Sequence, residues 1–382
     1  MDVYTRMNQL SQVFSCDKKA ELKDSNLELL PFHFRQTNYQ VEVKDLQREL
    51  STTDFFPTTD DCINENTNFN YTIFAPKGKE RRDKAIVLLH GLNERSWNKY
   101  LTWAEKLTSS TGRSVILFPI AFHMNRAPRV WCNPQTIRSW VVARKEEAQN
   151  VSDSTFINVA LSSRISKQPL RFYCSGLQSA YNIVQLVQEI KNGEHPHFRE
   201  DTSVNIFAYS IGALLSQVLL LANPEDLFTD SRLFMFCGGS IFSSMNGNAK
   251  DILDKEASDR LMQYYTNEFL KSYPIGHSLK TITLEQAFKM MISQEVMQRQ
   301  REGFFESACH RISAISLKND VVTPTEGIIK ALGKASQKIL EEMDFGFKYS
   351  HQSPFPILIN REKELVNETF AGVFNKASSL LC

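Results

Sequence analysis

The sequence predicts an α/β protein, a mostly parallel sheet flanked by helices with a helical cap insertion. Two observations predict it. Short apolar runs recur at "KAIVLLH" (84–90), "SVILFP" (114–119), "VNIFAY" (204–209), "RLFMFCG" (232–238) and "HRISAISL" (310–317). Such runs mark strands buried on both faces. Between them lie segments with apolar residues at helical spacing, and this alternation of strand with helix is what a covered parallel sheet needs.

In chain order, the first eighty residues are polar and weakly patterned. There "YQVEV" (39–43) and "NYTIFAP" (70–76) alternate like strands, and "KDLQREL" (44–50) has the spacing of a helical turn. After strand 84–90, Trp97, Tyr100, Leu101, Ala104 and Leu107 recur at helical spacing behind Ser96 as cap, and Gly112 closes the helix. Leu177, Ala180, Ile183, Val184, Val187 and Ile190 mark an amphipathic helix stopped at Gly193. "IGALLSQVLLLAN" (211–223) is the helix after strand 204–209. Residues 120–175 are far longer than a βα loop of about two to six residues. Residues 241–308 form a second insertion with helical patterns and Met290, Met291 and Met297, read either as a lid surface or as ordinary core. The domain reading is an N-terminal extension (1–70) packing on a core of 71–240 and 309–382, with the cap at 241–308.

Composition narrows the partners. The chain of 382 residues carries 44 Lys and Arg against 43 Asp and Glu. No net field points to nucleic acid or an anionic membrane, so the expected partner is a small molecule. No stretch reaches the roughly 18 apolar residues of a membrane span, and the start lacks the pattern of an export signal. The reading is therefore a cytoplasmic chain, with oligomeric state left open. Seven scattered cysteines form no CxxC pair, and "GEHPH" separates His195 from His197 by a proline with no further ligand, so neither a disulfide framework nor a metal site is expected. With no GxxxxGK[ST], GxGxxG or HExxH, no cofactor is required.

Chemistry gathers at strand ends, where ligands of such sheets sit. Ala208-Tyr209-Ser210-Ile211-Gly212 is a small-x-Ser-x-Gly window at a strand-to-helix turn. Such a turn strains the serine backbone, exposes its hydroxyl and places it at a helix N-terminus. The other reading of Ser210 is a plain helix cap. A serine nucleophile needs a base, and the base a carboxylate. Asp320 follows an apolar strand, and His351, in "YSHQSPFP", is the one histidine after it. Asp320 also reads as a turn or helix-cap residue before Pro324, His351 as an exposed loop residue, and Asp344 is the competing acid. In "LLHGLNERSW", Gly91 lets the chain turn so that the amide of Leu92 faces inward beside that of Ile211, with His90 bracing the loop. Tyr209, Asn93, His123 and Arg126 are candidate pocket residues. The arginines of the 120–175 excursion either contact an acidic substrate group or simply pack it.

These features resemble the α/β-hydrolase superfamily over about residues 70–360, with Ala208 where the commonest elbow has glycine. The resemblance implies Ser210 as nucleophile, His351 as general base, Asp320 as orienting acid, and the Leu92 and Ile211 amides as oxyanion hole. It implies a serine hydrolase acting on a small-molecule ester or related acyl substrate through an acyl-enzyme. Esterase, thioesterase, peptidase and acyltransferase share this machinery. The alternative is a non-catalytic relative that binds a ligand or protein in the same cleft.

Overall fold

The apolar runs pair with one another rather than forming separate hairpins. In the computed structural model, residues 2–37, 46–47, 50, 56–78, 80–147, 151–276, 281–356 and 362–382 are described. Among them, nine strands make one sheet. They are β1 Ala20–Leu22, β2 Leu27–Arg35, β3 Asn68–Pro76, β4 Arg82–Leu89, β5 Ser114–Leu117, β6 Phe198–Tyr209, β7 Leu233–Phe236, β8 Ile312–Leu317 and β9 Leu340–Met343. Their spatial order is β1-β2-β3-β5-β4-β6-β7-β8-β9. The first three run antiparallel to their neighbours, while β5, β4, β6, β7, β8 and β9 are mutually parallel.

Among the described residues, helices of seven residues or more are α1 Val3–Val13, α2 Asn98–Thr111, α3 Pro134–Glu147, α4 Val159–Lys167, α5 Leu170–Lys191, α6 Ile211–Ala222, α7 Lys255–Asn267, α8 Leu284–Met290, α9 Gln298–Ala308, α10 Thr325–Leu332 and α11 Glu362–Leu381. Strand side chains alternate in direction, so each parallel strand feeds two cores. From β4, Ala85, Val87 and Leu89 join the core built with α5 and α6, while Ile86 and Leu88 join the one built with α2 and α11. That double burial is why "AIVLL" has no polar position.

The strand order reverses at β4: the chain steps outward to β5 and then returns to the other side of β4 as β6. A crevice opens at such a reversal, outside the carboxyl ends of the strands. This architecture is the α/β-hydrolase fold.

Several expected elements take different bounds. The Gly193-terminated helix begins at Leu170, well before the periodic stretch, because the residues facing 241–308 are buried too. Gly112 caps α2 with φ 68°, as expected. Ser96 sits one residue before the cap position, which Trp97 occupies, and its Oγ accepts from the Asn98 amide at 3.2 Å. The strand "YQVEV" lies outside the described residues, as does most of "KDLQREL". Strand β2 escaped the sequence reading because "LELLPFHFR" contains Pro31. Since β1 covers only Leu27–Leu29, Pro31 sits where β2 is an edge, the place a strand tolerates proline. Strand β9, "LEEM", escaped because an edge strand need not be apolar on both faces. Met290 and Met291 are fully buried core, not a lid surface. Among the described residues no helix is long and apolar enough to cross a membrane.

Candidate active site

The chain leaves β6 at Tyr209 and enters α6 at Ile211, so Ser210 alone makes the turn. It adopts φ 56° and ψ −122°, a conformation that L residues rarely hold, and such strain persists only where the surroundings fix it. Two glycines do so. A Cβ on Gly212 would lie 2.8 Å from the Leu89 carbonyl oxygen, and one on Gly238, just past β7, would lie 2.5 Å from the Ser210 carbonyl oxygen. No side chain fits at either, so the turn is clamped between the ends of β4 and β7. Gly212 belongs to the sequence window; Gly238 is contributed by a neighbouring strand.

Ser210 occupies the helix cap position, but its hydroxyl makes no capping bond. Its Oγ lies 2.7 Å from His351 Nε2. On the other side of the ring, Nδ1 lies 2.7 Å from Asp320 Oδ2. All three residues are buried. The carboxylate is fixed by its own turn: Oδ1 accepts from the amides of Val322 at 2.9 Å and Thr323 at 3.0 Å. Thr323 Oγ1 lies 2.9 Å from Oδ2 and 3.0 Å from the Cys237 carbonyl oxygen, and its single proton serves one of them at a time. Asp320 is thus both the turn residue before α10 and the partner of His351. With Oδ2 as acceptor, Nδ1 carries the ring proton and Nε2 is left to accept from Ser210. Asp344, the competing acid, is exposed and paired with Lys318 at 3.3 Å.

The histidine loop is held from behind. The Tyr209 hydroxyl donates to the His351 carbonyl, and the two rings stack at 5.6 Å. Lys99, on α2, sits 4.6 Å above the Tyr209 ring and donates to the Gln352 carbonyl at 3.1 Å. Tyr209, expected to line a pocket, is instead buried scaffolding.

The loop after β4 is set by two neutral histidines. Burial and the neighbouring His123 push the His90 pKa well below the ordinary value, and burial brings His123 down to about 4. Each Nδ1 donates to a nearby carbonyl, of Gly91 for His90 and of Ala121 for His123. Each Nε2 accepts a backbone amide: Ile120 onto His90 at 3.0 Å, Asn93 onto His123 at 2.8 Å. His123 thereby fixes Asn93, whose φ is 60° and whose side chain donates to the Ile157 and Asp251 carbonyls at 3.0 and 2.9 Å.

Three lobes open around this loop, and Leu92 and Phe172 line all of them. One is lined by Ser210 and Ile211 together with residues of the second insertion, Phe242, Met245, Leu253, Leu261 and Met262 among them. Ile211 is the first residue of α6, where helix amides lack an intrahelical acceptor. A second lobe lies against the 120–175 excursion and is lined by Asn93, His123 and three arginines, Arg95, Arg164 and Arg171. Arg126 lines none of the three: it is fully buried, with its guanidinium on the carbonyls of Asn66 and Pro119 and on Asn182 Oδ1. Sequence reasoning singled out Arg126 and not the three arginines that line this lobe. It also missed Thr323, whose spacing from Asp320 in "DVVT" is the signature of a side-chain-stabilised turn.

Strand order and the Ser210 turn are those of the α/β-hydrolase fold. Over residues 1–382 the chain matches the model of a family of unknown function (DUF6051), and it belongs to that family. No curated protein matches the sequence. Among solved structures the chain is similar to a thermostable esterase from Pseudomonas putida, at 10% identity and TM-score 0.46 over 100% of this chain and 88% of that one. It is also similar to an esterase from Pyrobaculum calidifontis, at 10% identity and TM-score 0.42, covering 99% and 94%. An acylaminoacyl peptidase from Pyrococcus horikoshii matches at 11% identity and TM-score 0.43, covering 91% of this chain and 41% of that one.

Proposed function

We propose that the protein is a serine hydrolase acting on an ester or related acyl compound, with Ser210 as nucleophile, His351 as general base and Asp320 as its orienting carboxylate. The observation that carries this reading is the unbroken relay from Ser210 Oγ through His351 to Asp320, 2.7 Å at each link, opening on a largely apolar cavity. His351 Nε2 takes the hydroxyl proton as Oγ bonds to the acyl carbon. The developing oxyanion is held by the amides of Leu92 and Ile211, and Asp320 stabilises the imidazolium. The proton then passes to the leaving oxygen as its bond to carbon breaks, giving the acyl-enzyme. Water, deprotonated by His351, adds to the acyl carbon, and as the bond from that carbon to Oγ breaks His351 returns the proton to Oγ, releasing the acid and the free serine. Residues 241–308 act as a cap that shapes the acyl or alcohol site.

A fluorophosphonate probe tests the nucleophile. The wild type is expected to be labelled and Ser210→Ala not, with ester turnover falling at least a thousandfold in the variant. Equal labelling of both removes Ser210 from its role, and no labelling of either favours a binding protein that uses the same cleft.

A further inference from the structure

Among the described residues, the lobe at the 120–175 excursion is lined by three arginines, Arg95, Arg164 and Arg171, and by one acid, Glu94. Arg164 on α4 is buried, only 5% exposed, with its guanidinium 4.2 Å above the Trp131 ring and 5.1 Å from that of Phe122. Its Nη2 meets both oxygens of Asp60 at 3.0 Å. Asp60 is shared, because Arg171 donates to its Oδ1 as well. Arg164 Nη1 is buried and has no hydrogen-bond partner among the described residues. Arg95 adds a third cation, its guanidinium resting on the Trp131 and Ile157 carbonyls at 3.2 and 2.5 Å. The acid in this lining, Glu94, is engaged by Lys99 and by the Tyr100 hydroxyl.

A buried guanidinium nitrogen without a partner is costly. Arg82 Nε and Arg113 Nε stand in the same condition among the described residues, but Arg164 alone of the three lines a lobe, whereas the nitrogens of Arg126 all reach oxygens. The Arg164 lobe and the Ser210 lobe share Leu92 and Phe172, and Ala121, Phe122 and Ile165 add further apolar lining to the former beside Asn93, His123 and Ser175. A hydrocarbon chain fits the apolar lining, and an anion fits the arginines.

We propose that Arg164, supported by Arg171 and Arg95, binds a carboxylate at the end of the substrate opposite the scissile bond. The substrate class is then an ester or related acyl compound whose apolar chain ends in a carboxylate. This rests on the hydrolase reading of Ser210, which it deepens. A carboxylate suits the site because its oxygens accept from a guanidinium edge, and a charge-assisted bond in a closed lobe is among the stronger ones.

The test uses 4-nitrophenyl half-esters of dicarboxylic acids from glutarate to suberate, each beside the neutral ester of the same chain length. The wild type is expected to favour one or more of the half-esters by about tenfold to a hundredfold in kcat/KM. Arg164→Met should erase that preference, chiefly through KM, and Arg164→Lys should keep part of it; circular dichroism establishes that both fold. In parallel, calorimetry on Ser210→Ala compares the monomethyl esters of the same diacids with the neutral methyl esters. Tighter binding of the monomethyl diacids supports the subsite even if no ester is turned over, an outcome that would defeat only the hydrolase reading. No preference in turnover and no difference in binding overturns the subsite, as does a preference that survives in Arg164→Met.

Discussion

The lobe at Ser210 and the lobe at Arg164 share two side chains, Leu92 and Phe172, yet they are built by opposite means. At Ser210, the three side chains of the proposed triad come from the ends of β6 and β8 and the loop after β9; Ser210 and Asp320 are fixed largely within their own turns, by the elbow and by the amides of Val322 and Thr323, while the His351 loop is held by Tyr209 and Lys99. At Arg164, the polar groups come from a helix within a long excursion and meet an aspartate more than a hundred residues earlier. The proposed triad at strand ends is held by the sheet; the proposed anion subsite in the excursion is held by buried side chains that meet from distant segments. The first is written in short windows and the second is not.

Three further measurements sharpen this contrast. The largest effect is expected from Asp320→Asn, which removes the acceptor that sets the histidine tautomer; ester turnover should fall on the order of a thousandfold to ten-thousandfold. Asp344→Asn serves as the comparison and should leave turnover within about twofold, since Asp344 pairs only at the surface. Equal losses in both would break the assignment of the acid.

Next is Arg126→Met, which separates an arginine that braces the fold from one that faces a lobe. It strands the Asn66 and Pro119 carbonyls and should destabilise the protein by roughly 3 kcal/mol in denaturant melts. The ratio of turnover between charged and neutral esters should stay as in the wild type. A changed ratio with unchanged stability would reverse the roles of the two arginines.

An effect of similar size, spread over several groups, is on pH dependence. Burial lowers His123 and His197 to about 4 and His195 to about 3. A histidine held neutral binds its proton later in the folded state than in the unfolded one, whose value is near 6.5. The stability it supplies is therefore full above about 6.5 and is lost as the pH falls from there toward 4. For His123 this amounts to roughly 3 kcal/mol. Melting temperature should be flat from pH 8 to 7 and drop steadily below 6.5, and His123→Gln should make that drop shallower. An acid limb unchanged in the variant would remove His123 from the account.

Some of these residues were legible from the chain and some were not. Ser210 announced itself because a strand-to-helix turn with small flanking residues is a local requirement: the Gly212 Cβ would strike the Leu89 backbone. Asp320 and His351 followed from order along the chain. Arg126 was misjudged, because a sequence shows that an arginine lies near a strand end but not whether carbonyls or open space await its nitrogens. Tyr209 was misjudged for the same reason: its hydroxyl turns back to the His351 carbonyl. Gly238 was not singled out, since its constraint comes from Ser210 on the neighbouring strand.

By itself the sequence determined the alternation of strand and helix, the parallel sheet that follows from it, and the position of one strained serine, all of which depend on periodicity and on sterics within a few residues. Only the tertiary structure decided that His351 Nε2 and Nδ1 would each find a partner at 2.7 Å, and that Arg164 rather than Arg126 would face the cavity. Those outcomes depend on distances between segments far apart in the chain, and packing fixes such distances only once the whole sheet and its insertions have come together.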